Sequence, residues 1–360
     1  MSLTIVTGEP AGEPGGEPGE PRPTAGTVAG VTRVILAEPR GFCAGVQMAI
    51  KSLAWMVELF EAPVYCYHEI VHNRSVVEVF ERAGVIFVED IDEVPAGAAV
   101  MLSAHGSAPD VVARALDRSS VVIDAVCPLV AKVHHEVKIR AAQGFDVVYV
   151  GHRGHDEAVG TMAVAPDAVH LVETPADVAA IPSTSNPVAF LSQTTLGMDE
   201  LAEVRVAVEQ RFPDVWMPAR SDLCFATTNR QTALKALAEQ VDSILVVGSQ
   251  SSSNTNALER VARQSGCTNV IRIETAADLP DRLDGVVGVT AGASVPEQLV
   301  DAVVEALAPS DGVESLRVTD EDEYFPLPVG LRSRISVADL EADRGTDASA
   351  ALERLARVVM

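Results

Sequence analysis

Residues 31–46 read VTRVILAEPRGFCAGV. A Val/Ile run ends in Pro39 and Gly41, a lone thiol stands at Cys43, Gly45 follows, and the amphipathic stretch GVQMAIKSLAWMVELF begins. Strand, turn and helix in that order make one unit of an α/β sheet. The order recurs along the chain. Short runs (APVYCY, GVIFV, AAVMLSA, SSVVIDA, FDVVYVG, PVAFLSQ, SILVVGS, NVIRI, GVVGVTAG) alternate with helical patterns such as PLVAKVHHEVKIRAAQG, ELAEVRVAVEQRF and RQTALKALAEQ. This alternation predicts mainly parallel sheets covered by helices.

Two more cysteines occupy the same place in the pattern. Cys127 stands between SSVVIDAV and PLVAKVHHEV, and Cys224 between VWMPARSDL and FATTNRQTALKAL. Other strands end in polar clusters, VMLSAHGS, VVYVGHRGHDE and ILVVGSQSSSN. Ligand groups collect at the carboxyl ends of strands in open α/β sheets. Three similar small α/β lobes arranged pseudo-threefold around one shared site are therefore expected. Residues 31–127 form the first, with its first strand and Cys43 open to packing on the third; 128–222 form the second and 223–310 the third. Residues 311–360 are a C-terminal segment and acidic tail. Residues 1–30 hold GEP four times, too little apolar surface to fold, and read as a disordered acidic arm.

Composition bounds the function. The net charge of −24 argues against nucleic acid, which needs clustered Lys and Arg. An anionic ligand would approach against that field, so its site must be built locally from histidines, hydroxyls and backbone N–H groups. No apolar run reaches membrane-spanning length, and no basic-then-apolar leader stands at the N-terminus, so a cytoplasmic protein is expected. The five cysteines include no CxxC pair, which makes a zinc ribbon or a disulfide framework unexpected.

Three thiols at three strand ends suit a metal or a cluster. Zinc would want a fourth protein ligand. An iron–sulfur cluster held by three cysteines leaves one iron open to substrate oxygen, as a Lewis acid and electron donor. The alternative is that all three are small buried hydrophobes. Cys66 and Cys267 lack the Gly- or Pro-marked turn and read as structural. His72, His105 and His155 follow apolar runs and can donate to phosphate oxygens near neutral pH. Glu157, two residues after His155, can relay protons. GSQSSSNTNALERVA, with Asn254, and VTAGASVPEQLV, with Ser294, each place small polar residues before a helix, an arrangement that favours an anion or ordinary capping.

The ordered set PRGFCAGV, HEIVHN, SAHG, DAVCPLV, GHRGHDEAVGT, QTTL, CFATTNRQ, GSQSSSN and TAGAS resembles the 4-hydroxy-3-methylbut-2-enyl diphosphate reductase (IspH or LytB) family over about residues 32–335. The resemblance implies the three-lobed fold around a 4Fe–4S cluster with three Cys ligands, Cys43, Cys127 and Cys224, and one open iron. It implies two-electron removal of the allylic hydroxyl to give isopentenyl and dimethylallyl diphosphates, the last step of the methylerythritol phosphate route. His72, His105, His155, Ser252, Ser253, Asn254 and Ser294 match its diphosphate-binding residues. Glu157 matches its proton-supplying acid and Thr194 the threonine beside it, with Thr227, Thr228 and Asn229 around them. Ferredoxin or flavodoxin would supply electrons to a monomer or homodimer. Departures are Gln47–Met48 where the family carries an acidic residue and Arg, GHDE for GHPE, and Val159 where a second acid often stands. The Gln47–Met48 change hints at a divergent paralogue, so a non-catalytic cluster-bearing sensor or degenerate paralogue stands beside the reductase, as does an iron–sulfur hydro-lyase, which also uses an open iron.

Overall fold

The computed structural model describes residues 27–358. In chain order these are β1 (Ala29–Glu38), α1 (Ala44–Leu59), β2 (Val64–Tyr67), α2 (Arg74–Arg82), β3 (Val85–Val88), β4 (Ala99–Leu102), α3 (Pro109–Arg118) and β5 (Val121–Asp124). Then come α4 (Pro128–Ala142), β6 (Asp146–Val150), α5 (Asp156–Val164), β7 (Val169–Val172), α6 (Pro175–Ala180), β8 (Val188–Ser192) and α7 (Met198–Arg211). The last part holds α8 (Phe225–Ala238), β9 (Ser243–Val247), α9 (Ser253–Gln264), β10 (Asn269–Ile273), β11 (Arg282–Ala291), α10 (Glu297–Leu307), β12 (Val313–Arg317), α11 (Val329–Arg332), α12 (Val337–Arg344) and α13 (Ala348–Val358).

The strands form three sheets, ordered β10-β9-β11-β1-β12, β3-β2-β4-β5 and β7-β6-β8. Every pairing in them is parallel, as the strand–helix alternation predicts. β9, inside its sheet, and β8, at the end of its own, are both buried at every position, because helices cover both faces of a parallel sheet. Two strands carry no readable signal. β7 has His170 at its second position, and β12 is an exposed edge with only Leu316 partly covered.

The turn after β1 changes layer. β1 pairs with β11 and β12, far along the chain, whereas α1 buries Ile50, Leu53 and Met56 against Val64 and Ile123 of the β2 sheet, Ile70 after β2 and Phe80 of α2. Pro39–Cys43 is therefore the crossover between two packing units. The segment expected as an arm ends earlier than 30: Val28 is buried, its N–H donates to the Ala306 carbonyl (2.9 Å), and β1 begins at Ala29. Val28 and Val31 give that stretch the apolar contacts that the GEP repeats lack. Residues 1–26 of the expected arm lie outside the described residues.

The C-terminal segment is packed. Leu331, Ile335, Ala351, Leu352 and Leu355 join the core under α1 and α2. Lys51 of α1, itself buried, pairs with Asp343 Oδ2 (3.2 Å), and Trp55 Nε1 donates to Asp343 Oδ1 (3.0 Å). Among the described residues no helix is long and apolar enough to cross a membrane.

Candidate functional site

The carboxyl ends of all three sheets open onto one cavity of about 110 Å³. Cys43, Cys127 and Cys224 line it, each the N-cap of a helix, α1, α4 and α8 respectively. Cys43 Sγ accepts from Val46 N (3.5 Å), and Cys224 Sγ accepts from Thr227 N (3.3 Å) and lies 3.1 Å from Thr227 Oγ1. Helix N-termini favour sulfur carrying negative charge. Burial, and then the neighbouring Cys43 sulfur, push Cys127 up to about 12 and Cys224 to about 11. Thiols held protonated in this way give up their protons to a bound cation. A Cβ on Gly45 would lie 2.9 Å from Cys127 Sγ and 3.9 Å from Cys43 Sγ, so the bare glycine keeps the space between the two sulfurs open. Three soft donors around such a space could hold an iron–sulfur cluster. Gly41 is needed for another reason: it sits at φ +65°, and a Cβ there would come 3.0 Å from the Val295 carbonyl.

The other wall could receive an anion, by hydrogen bonds from histidines, hydroxyls and a helix N-terminus. His72, His105 and His155 face one another there; His72 stacks on His105 (4.4 Å between centroids), and His155 stands edge-on to both. Burial, then the charge of His72, depresses His105 well below the ordinary imidazole range and takes His155 to about 4. At neutral pH both are uncharged. His155 Nδ1 accepts from Glu157 N (3.2 Å), which places its ring proton on Nε2. His72 Nε2 is buried and has no partner among the described residues. Ser252 caps α9, and the first N–H groups of that helix, at Ser253 and Asn254, lie at the cavity. Asn254 Oδ1 accepts from Ala293 N (3.0 Å), and Ser294 Oγ donates to the His72 carbonyl (3.2 Å), joining the first sheet to the second. Among the described residues no Lys or Arg lines the cavity.

Glu157 is 2% exposed and lies between the two walls. Thr194 N donates to its Oε1 (2.8 Å), and Thr194 Oγ1 is 2.9 Å from its Oε2. Burial outweighs these bonds and raises the carboxyl to about 7. The pair can therefore hold or release a proton near neutrality. Thr227 Oγ1 donates to the Thr194 carbonyl (3.0 Å), tying this pair to the Cys224 helix.

The cavity thus brings together residues spread from Cys43 to Ser294. Thr228 and Asn229 do not reach it: Thr228 Oγ1 donates to the Phe225 carbonyl (3.1 Å), and Asn229 Nδ2 to Glu321 Oε2 (3.0 Å). Sequence reasoning missed a set of supporting groups. Gln193, fully buried in the quoted QTTL, donates to Ser253 Oγ (3.1 Å) and accepts from His152 N (2.9 Å). Buried Arg230 donates to the Gly41 carbonyl (2.8 Å) and pairs with Glu321 (2.9 Å), and Phe325 lines the cavity beside Phe225. Glu321 and Phe325 lie in the acid-rich EDEYF, which carries no local signal. The Gln47–Met48 departure leaves α1 intact, since Cys43 caps the helix and Met48 is buried beneath it.

The family model described as LytB protein matches residues 34–308. The chain belongs to the LytB protein family. A family member from Mycolicibacterium paratuberculosis, named 4-hydroxy-3-methylbut-2-enyl diphosphate reductase, is 47% identical over 84% of this chain and 92% of its own length. The protein of that name from Cutibacterium acnes is 46% identical over 85% of this chain and 97% of its own. Among solved LytB-type structures, the E-1-hydroxy-2-methyl-but-2-enyl-4-diphosphate reductase from Plasmodium falciparum superposes with a TM-score of 0.80 at 32% identity, over 84% of this chain and 98% of that one. Another, titled (E)-4-hydroxy-3-methyl-but-2-enyl diphosphate reductase, the terminal enzyme of the non-mevalonate pathway, gives 0.57 at 30% identity, over 77% and 99%.

Proposed function

We infer that this chain is a 4-hydroxy-3-methylbut-2-enyl diphosphate reductase, which converts the allylic alcohol to isopentenyl and dimethylallyl diphosphates as the last step of the non-mevalonate route. The observation that carries the reading is one cavity with three helix-capping thiols on one wall, a cation-free anion cradle on the other, and a buried acid between them. Cys43, Cys127 and Cys224 would hold a 4Fe–4S cluster with one iron left open. When bound, that cluster supplies a Lewis-acidic iron and the electrons.

The rest follows from the chain's own groups. His72, His105, His155, Ser252, Ser253, Asn254 and Ser294 receive the diphosphate by hydrogen bonds. They hold the allylic end toward the thiol wall. The cavity's walls, apolar at Ile70, Val71, Leu129 and Val130, exclude bulk water. Replacing C–OH by C–H consumes two electrons and two protons and releases water. Glu157, raised to about 7 by burial and so able to carry a proton near neutrality, passes it through Thr194 Oγ1 to the departing hydroxyl. Electrons would come from a ferredoxin or flavodoxin in the cytoplasm, and the three sheets with their helices would act as three lobes of a monomer or homodimer.

The test is anaerobic purification with iron and sulfide analysis, followed by turnover of the allylic diphosphate with reduced ferredoxin. A brown protein with about four irons per chain and reductant-dependent turnover is expected. A reconstituted protein without iron would sink the reading, and turnover independent of reductant would favour a hydro-lyase.

A further inference from the structure

Asp156 carries chemistry that the site above does not use. It opens α5 between His155 and Glu157, and its carboxylate sits among the histidines. Oδ1 lies 3.0 Å from His68 Nδ1, and Oδ2 lies 3.7 Å from His105 Nδ1. His68 follows β2 and faces Glu89, beyond β3, with its other nitrogen (3.9 Å). His105 follows β4, and its Nδ1 lies between Asp156 Oδ2 and Ser103 Oγ, 3.4 Å from the latter. The remaining titratable neighbours are His155, His72, whose Nδ1 lies 3.6 Å from Glu69, and Tyr67, whose ring lies 4.0 Å from that of His68. A carboxylate beside an anion site repels the ligand unless it acts through another group. Here both of its oxygens are turned to ring nitrogens.

We propose that Asp156 is a positioning residue of the diphosphate site: it holds the Nδ1 edges of His68 and His105, so that the Nε2 edge of His105 presents an N–H to the bound anion. The inference rests on the reading that these histidines receive the diphosphate. In the free protein, burial and the neighbouring imidazoles keep His105 uncharged. Burial opposes ionisation of Asp156, yet the hydrogen bond from His68 and the cluster of imidazoles around it hold its carboxyl down at about 2, so it is ionised throughout the working range. When an anion arrives, His105 takes up a proton. Carboxylate, imidazolium and phosphate then form consecutive charge-assisted hydrogen bonds. The arrangement also joins β2 and β4 of one sheet to α5 on the next.

The test uses cluster-loaded protein, the allylic diphosphate as substrate and inorganic pyrophosphate as competing anion. Asp156→Asn is expected to raise KM and the pyrophosphate Kd together by about tenfold, with kcat changed by less than about twofold. The pH at which KM stops climbing should fall by about one unit, because the bound imidazolium loses its countercharge. His68→Asn, which suits the left-handed backbone of His68 (φ 60°), should move the same quantities in the same direction by a smaller factor. Unchanged KM, Kd and pH profile in iron-replete D156N would overturn the proposal. So would a raised KM with an unmoved pH profile, the mark of a purely structural role. Stoichiometric Zn²⁺ binding lost in D156N would also overturn it, since ligand atoms of His72, His105 and Asp156 lie within 4.8 Å of one another and Asp156 would then be a metal ligand. Failure of the wild type to turn over substrate would instead overturn the functional reading, and the pyrophosphate Kd of the two proteins, by calorimetry, would still decide the part played by Asp156.

Discussion

At the residue scale, the chemistry rests on groups whose ordinary proton affinity has been changed by burial. Glu157 is the clearest. A carboxyl raised to about 7 is a usable acid at neutral pH, and its replacement by Gln keeps the shape and removes the proton. Glu157→Gln is expected to lower turnover by about 10²- to 10⁴-fold while iron per chain stays at the wild-type value. An equal loss of iron would instead make Glu157 structural. The same shift has a stability sign. The folded value lies above the unfolded one, so the stability tied to the neutral acid is complete below about 4.5 and disappears as pH rises through about 7. E157Q should therefore melt higher than wild type at pH 8, by up to about 3 kcal/mol, and gain nothing at pH 4, as calorimetric scans at the two pH values would show. Gly45 makes the second residue-scale prediction. With a Cβ 2.9 Å from Cys127 Sγ, Gly45→Ala should reduce the iron bound after reconstitution while circular dichroism stays unchanged; full iron occupancy would show that the sulfurs can move aside.

At the scale of elements, the helices place the site and the C-terminal segment holds one of them. α1 presents Cys43 at its N-terminus, and its later turns are clamped by Lys51 and Trp55 to Asp343 of α12. Asp343→Ala leaves Lys51 buried without its countercharge, with only the main-chain carbonyl of residue 343 (2.5 Å) still accepting from it, and a loss of roughly 3 kcal/mol is expected in denaturant unfolding. A loss under about 1 kcal/mol would mean that Lys51 reaches water when the tail moves. The helices α1, α4, α7 and α8 were legible because apolar residues recur on one face and a cap or proline marks the start. The docking of α11–α13 was not. Its partners lie about three hundred residues away in α1 and α2, and nothing local encodes which exposed stripe meets which. β12 was missed for the related reason that an edge strand needs no apolar run.

For the whole molecule, a chain of net charge −24 holds histidines that are neutral in the free protein at the cavity, and on the reading proposed above they become charged when a diphosphate arrives. His155 in the free protein sits at about 4, below its unfolded value, so its contribution to stability is complete above about 6.5 and is lost as pH falls through about 4. A bound polyanion reverses that preference. Pyrophosphate binding near pH 7 should thus take up protons, and the calorimetric heat should change with the ionisation enthalpy of the buffer; identical heats in phosphate and Tris would contradict charged histidines in the complex. Pyrophosphate should also protect the protein most strongly below about pH 6, where the free site loses stability.

By itself the sequence determined the α/β class, the three thiols, the histidines and the acid. The class and the strand-end placement of these residues follow from local order, an apolar strand, a polar turn and a helix N-terminus in succession, whereas their choice over a core or capping role came from the family resemblance. Only the tertiary structure decided that β1 leaves its sequence neighbours for the β11 sheet, that Gly41 serves the backbone of Val295 while Gly45 serves the sulfurs, and that Asp156 faces His68 and His105. It also turned Asn229 away from the cavity toward Glu321. The physical reason is common to all four. Each is a contact between segments distant in the chain, set by how three sheets pack their carboxyl ends together, and packing is a property of surfaces that a linear order of residues does not specify.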